Sequence, residues 1–135
     1  MIPYRHTVQY YETDKMGITH HSNYIRFMEE ARIDFLRRIG WPFEQLEQQG
    51  VISPVVSISC NYRKTTAFAD EIEIAVRVEE VTKVRFLMSY VMTVSGIVVC
   101  TAQSSHCFVS ADGRPVSIEK QCPGFYAALR ELCGQ

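Results

Sequence analysis

No stretch of this sequence stays apolar for the roughly 18 residues that a membrane-spanning helix needs, so no membrane span is expected. Charge of one sign is scarce too. The 135 residues carry 14 Lys and Arg against 15 Asp and Glu, a formal net charge of −1. That balance gives no pull toward nucleic acid or an anionic membrane. The opening residues Met1-Ile2-Pro3-Tyr4-Arg5-His6 lack the apolar core of a signal peptide. The cysteines (Cys60, Cys100, Cys107, Cys122 and Cys133) are odd in number and irregularly spaced, with no C-x-x-C. This argues against a disulfide framework or a zinc knuckle, and for reduced thiols in a cytoplasmic protein. There is no P-loop, dinucleotide fingerprint or G-x-S-x-G, so neither a cofactor nor serine-type chemistry is expected. Repeats, low-complexity segments and linkers are missing as well, which leaves one domain, 1–135.

What is present is periodic. Residues 4–11 alternate moderately and predict a first strand. Residues 14–21 have no period and contain Gly17, which marks a loop. Ser22 or Asn23 can cap the helix that follows, since a short side-chain oxygen can accept from the first-turn amides. The helix runs to about Ile39. Tyr24, Phe27, Met28, Ala31 and Phe35 share one face, and Ile25, Ile33, Leu36 and Ile39 widen it, so cover is needed on more than one side. Arg26 and Glu30 have i,i+4 spacing. Gly40 suits the left-handed C′ position and Pro42 prevents continuation. A short helix follows from Pro42 to Gln49.

From Val51 the period changes to two. Val56, Ile58, Cys60 and Tyr62 alternate with polar residues, and Pro54 places that strand at an edge or bulge. Residues 72–79, 86–94 and 97–109 give three more strands, the last two joined by the turn signal Ser95-Gly96. Pro123 opens a last helix through Leu132. The order β-α-β-β-β-β-α, with short turns between long strands, predicts an α+β fold with a mostly antiparallel sheet wrapped around one long helix.

One joint concentrates reactive groups. Between the first strand and the long helix lie Thr13-Asp14-x-x-Gly17-x-x-x-His21-x-x-Tyr24. A lone loop Asp is commonly a turn former. A carboxylate there can also activate water, or attack a carbonyl itself. The helix N-terminus supplies N–H donors and a positive dipole end, suited to an oxyanion. Gly17 permits a tight turn and close approach. His21 is either a structural hydrogen-bonding residue or an assistant that orients water or a substrate. A metal site from Asp14, His20, His21 and His106 lacks the usual ligand spacing, so no metal is expected.

This pattern, followed at once by Phe27, Glu29, Ala31 and Arg32, resembles the hotdog-fold acyl-CoA thioesterases of the 4-hydroxybenzoyl-CoA thioesterase type, including the branch found with the Tol-Pal system. The Tyr62…Asp70 segment resembles the family in the same place. The resemblance implies hydrolysis of an acyl-CoA by a homo-oligomer, a homodimer or homotetramer of hotdogs, with sites at the dimer interface. It implies Asp14 as the catalytic carboxylate, His21 as its assistant, Gly17 as the turn, and amides near Asn23 and Tyr24 facing the thioester carbonyl. Arg63, Lys64 and Lys83, with Arg85, are then either ordinary solvated charges or contacts for the CoA phosphates. Two other readings stand beside this one: a hotdog dehydratase or hydratase of hydroxyacyl thioesters, and a non-catalytic hotdog that binds acyl chains or a protein partner.

Overall fold

The structure, a computed structural model, describes residues 2–134. Five strands form one antiparallel sheet in the order β1-β3-β4-β5-β2. The strands are β1 (Tyr4–Thr7), β2 (Val55–Tyr62), β3 (Glu71–Val81), β4 (Arg85–Val94) and β5 (Ile97–Cys107). The helices are α1 (Asn23–Arg38), α2 (Phe43–Gln48), α3 (Ile118–Gln121) and α4 (Pro123–Leu132). The core lies between α1 and the inner face of the sheet. Tyr24, Phe27, Met28, Ala31, Phe35 and Leu36 meet Ile72, Ile74, Val78, Phe86, Met88, Tyr90 and Met92 there. Each fully buried aliphatic or aromatic side chain contributes about 1.5–3 kcal/mol to this layer. Helix α4 adds Phe125 and Leu129 to the same core.

The end of α1 follows the expected chemistry. Gly40 sits at φ +90°. Its N–H donates to Arg37 O at 3.1 Å, and Trp41 N–H to Leu36 O at 2.9 Å, the two bonds of a Schellman cap. The start departs from it. Ser22 is already helical and makes no side-chain cap, and Asn23 turns its Nδ2 to Glu12 O at 2.9 Å. Ile25 stays 43% exposed, so α1 is covered mainly on one side. The Arg26–Glu30 pair gives way to another set of contacts: Glu30 accepts from Tyr4 OH at 2.8 Å and meets His6 at 3.1 Å.

The first strand is shorter than the alternation suggests. After Thr7 the chain turns into a 3-10 segment (Tyr10–Glu12), because the Glu12 carboxylate accepts from Gln9 N–H at 2.7 Å and pulls the chain out of line. Tyr10 and Tyr11 are therefore exposed. Strand β2 is an edge strand with a bulge between Val55 and Ser57, as Pro54 suggested. Of the four residues that alternate with polar ones, Ile58 and Cys60 are half-buried while Val56 and Tyr62 are exposed. Strand β5 ends at Cys107, and Val109 instead bridges Ile52 and Pro115.

Beneath α1 runs a buried polar chain. Arg32 Nη1 lies 3.5 Å from Tyr90 OH, which is 2.7 Å from Ser104 Oγ. Ser104 Oγ is 2.8 Å from His106 Nε2, and His106 Nδ1 faces Ser53 O at 3.4 Å. Arginine can only donate and a carbonyl can only accept. Every proton in the chain therefore points one way: Tyr90 donates to Ser104, Ser104 to Nε2, and Nδ1–H to Ser53. His106 is neutral in this arrangement. Burial first, and the Arg32 charge second, draw its pKa down to about 4.

Candidate active site

The loop between the 3-10 segment and α1 is tied at both roots. Thr13 and Thr19 form an antiparallel bridge, Asp14 N–H donates to Ile18 O at 2.9 Å, and Gly17 N–H to Asp14 O at 3.0 Å. Gly17 holds φ +80°, a conformation costly for any residue with a Cβ. On the far side Thr19 N–H donates to Thr66 O at 2.8 Å. The Thr19 and Thr66 hydroxyls are 2.6 Å apart, and Tyr24 OH is 2.9 Å from Thr66 Oγ1. Thr66 thus joins the loop to the first turn of α1. Burial raises the Tyr24 pKa, and that phenol stays protonated.

Asp14 Oδ1 accepts from Met16 N–H at 2.8 Å, so the turn-forming role is real. The other carboxylate oxygen bonds to no group among the described residues. Asp14, His21, Tyr24, Arg63 and Lys64 line one cavity of about 360 Å³. Met16, Ile18, Thr19, Tyr62 and Thr65 complete the wall. The cavity joins a carboxylate, an imidazole and two cations on a largely apolar floor. That combination can hold an apolar group beside an anion and place a carboxylate against it.

His21 is exposed, with its ring edge toward Tyr62 at 6.3 Å, and Tyr62 OH donates to His21 O at 3.2 Å. Burial first, and the neighbouring Cys60 second, raise the Tyr62 pKa to about 12, which keeps the hydroxyl a donor. His20 stacks on His21 at 4.2 Å. Its Nδ1 accepts from Ser22 N–H at 3.2 Å, which places its proton on Nε2.

Three expectations land elsewhere. Asn23 is a buried strut on Glu12 and not a cavity wall. Lys83 sits in the turn from β3 to β4, 3.7 Å from Glu119, and is not among the cavity residues. The amides of Asn23 and Tyr24 already donate to His20 O at 3.0 Å and His21 O at 3.3 Å. The threonine pair escapes sequence reasoning because Thr19 and Thr66 are 47 residues apart. The only local signal is the Thr65-Thr66 pair directly after Arg63-Lys64. Among the described residues no group of three or more His, Cys, Asp or Glu could hold a metal ion.

A family model described as the Thioesterase-like superfamily matches residues 8–129. A hypothetical protein from Aquifex aeolicus has a crystal structure with a TM-score of 0.85 and 38% identity, covering 91% of this chain and 97% of that one. The DHNA-CoA thioesterase of Staphylococcus aureus gives a TM-score of 0.91 at 27% identity, covering 95% and 87%. A 1,4-dihydroxy-2-naphthoyl-CoA hydrolase from Thermosynechococcus vestitus is 27% identical over 105 residues, 76% of this chain and 72% of the relative. The sheet wrapped around α1 is the hotdog fold.

Proposed function

Because the chain belongs to the Thioesterase-like superfamily, we propose that it hydrolyses the thioester of an acyl-CoA to free acid and CoA, with Asp14 as the reacting carboxylate. One observation carries this reading: Asp14, His21 and Tyr24 share a single cavity with Arg63 and Lys64. Two of its relatives are named for a CoA substrate, a DHNA-CoA thioesterase and a 1,4-dihydroxy-2-naphthoyl-CoA hydrolase. The apolar floor formed by Met16, Ile18 and the Tyr24 and Tyr62 rings suits an acyl group. Arg63 and Lys64 at its rim suit the phosphates of CoA.

Hydrolysis forms a C–O bond to the acyl carbon and breaks the C–S bond. Asp14 either takes the proton of the attacking water, passing it to the departing thiolate, or attacks the carbonyl to form an anhydride that water then opens. The positive end of α1 faces the developing oxyanion. The helix offers its dipole there and not a free Asn23 or Tyr24 N–H, since both amides are already bonded. His21, exposed at the mouth, orients water. A thiolate leaving group needs neither a strong general acid nor a metal. Single turnover in ¹⁸O-labelled water detects the anhydride course when water opens it at the Asp14 carbonyl, since the label then enters Asp14 and the acid leaves with an unlabelled Asp14 oxygen.

The working form is a homo-oligomer in this reading. Strand β2 ends the sheet with a free outer edge, and Val55, Val56, Tyr62 and the adjoining Ile25 of α1 are exposed. Free apolar edges of this length are normally covered. A second copy on this edge would roof a cavity that one chain leaves open. All five cysteines are free, which accords with a reducing, cytoplasmic location.

The test is a thiol-release screen over short, medium, long and aromatic acyl-CoAs with Asp14→Asn as control. Free thiol from at least one substrate, lost in Asp14→Asn, supports the reading. No turnover across the panel, with tight acyl binding, would instead favour a non-catalytic carrier.

A further inference from the structure

Behind the Asp14 loop lies a closed cluster that the reaction outlined above does not use. His6 points inward from β1, its side chain 11% exposed, with its ring 4.1 Å from that of Phe27. Nε2 is 2.8 Å from Glu12 Oε1 and Nδ1 is 3.1 Å from Glu30 Oε1. Carboxylates only accept, and a neutral imidazole has one N–H. With a neutral ring, one of these contacts would set a lone pair against a carboxylate oxygen. Both close favourably when both ring nitrogens carry protons, and the ring is then an imidazolium between two acids.

The surrounding groups favour that state. From β1, Tyr4 donates to Glu30 at 2.8 Å, and its phenol is pushed up to about 12 by burial first and Glu30 second. From α1, Asp34 lies one turn beyond Glu30 and pairs with Arg38 at 2.9 Å. On β3 the partner of His6 is Ile72, while Glu71 and Glu73 bind Arg5 on the opposite face at 3.0 and 3.3 Å. Among the described residues, His6 is the one cation bonded to Glu12 or Glu30.

The cluster grips the root of the catalytic loop. Glu12 is buried. Its carboxylate also accepts from Gln9 N–H, and its main-chain carbonyl accepts from His20 N–H at 2.8 Å and Asn23 Nδ2 at 2.9 Å. One residue therefore ties the end of β1, the return of the loop and the start of α1. Asp14 lies two residues further on.

We propose that His6 is a positioning residue for Asp14: doubly protonated between Glu12 and Glu30, it fixes the loop root that aims the Asp14 carboxylate. This rests on Asp14 as the reacting group. Losing either contact loosens the root, so kcat falls. KM, set at the rim by Arg63 and Lys64, does not follow.

The test compares wild type, His6→Gln, Glu30→Gln and Asp14→Asn at neutral pH. Each is assayed on the fastest substrate of a panel of acetyl-, octanoyl-, palmitoyl- and benzoyl-CoA. Imidazole ¹⁵N resonances of His6 are read in parallel. Wild type should show both His6 nitrogens protonated. His6→Gln should lower kcat about 10- to 100-fold, the scale of a displaced reacting group, with KM nearly unchanged. In Glu30→Gln the amide can donate to Nδ1, so a neutral ring closes the cluster and kcat stays near wild type. A neutral ring in Glu30→Gln against a doubly protonated one in wild type decides the matter should His6→Gln fail to fold. A neutral His6 ring in wild type, or a wild-type kcat in His6→Gln, overturns the proposal. Asp14→Asn with near-wild-type turnover overturns the underlying reading and the positioning role with it. An inactive Asp14→Asn beside an unaltered His6→Gln overturns the positioning role alone.

Discussion

Acid should destabilise this protein through His106. The ring is buried on β5, and every proton along Arg32, Tyr90, Ser104 and His106 is directed toward Ser53. Protonating Nε2 would set its new N–H against the Ser104 hydroxyl proton and add a second positive charge near Arg32. The pKa is accordingly drawn from 6.5 down to about 4. At about 1.4 kcal/mol per pKa step, that difference is worth roughly 3 kcal/mol. The unfolded chain binds the proton more readily. Stability is therefore full above pH about 6.5, falls as pH drops toward about 4, and levels off below. The assay is urea unfolding of wild type and His106→Gln at a series of pH values. Other carboxylates titrate in the same range, but they do so in both proteins. The stability difference between the two should shift by about 3 kcal/mol in favour of the variant across that window. A difference constant with pH would refute the one-way proton chain and the neutral ring.

Gly124→Ala should destabilise despite lying in α4, where alanine is ordinarily the better helix former. A Cβ at that position would lie 2.8 Å from Trp41 Cζ2, and the packed indole cannot yield cheaply. About 1–3 kcal/mol should be lost in thermal or urea unfolding, and a rise in stability would refute the contact. Thr66→Val removes the hydroxyl shared by Thr19 and Tyr24, leaving buried donors unpaired. It should cost about 1–3 kcal/mol and lower kcat, and full activity would show that the loop needs no such strut. Neutralising Arg63 and Lys64 together should raise KM for acyl-CoA several-fold with little change in kcat, and flatten its dependence on salt. An unchanged KM would remove both residues from phosphate binding.

Much of the fold could be read from local pattern. Helix α1 announces itself by spacing and ends where Gly40 and Pro42 require it. Strands β3 and β4 alternate cleanly, and Pro54 marks β2 as an edge. The candidate loop stood out because Asp14, Gly17, His21 and Tyr24 fall within eleven residues, and three of them line one cavity. What local pattern concealed was made by long-range contact. The alternation of residues 4–11 continues past Thr7, yet the strand stops because Glu12 folds back on Gln9 and His6. Spacing paired Arg26 with Glu30, but α1 packs beside β1 and gives Glu30 to Tyr4 and His6 instead. Ser22 and Asn23 have the chemistry of caps, and their side chains are taken by His20 and Glu12. Lys83 shares the basic character of Arg63 and Lys64, but the turn from β3 to β4 pairs it with Glu119. The four-residue α3 is too short to leave a period at all.

The central claim is that Asp14 is the reacting carboxylate of an acyl-CoA hydrolase. Its most direct test is kcat/KM of Asp14→Asn on the best substrate of the thiol-release screen, with folding and oligomeric state checked against wild type. The amide preserves size and can keep the bond from Met16 N–H, but it can neither accept a proton from water nor attack as an anion. A fall of about 10²- to 10⁴-fold in a folded, correctly assembled variant is the predicted result. Turnover close to wild type would contradict it.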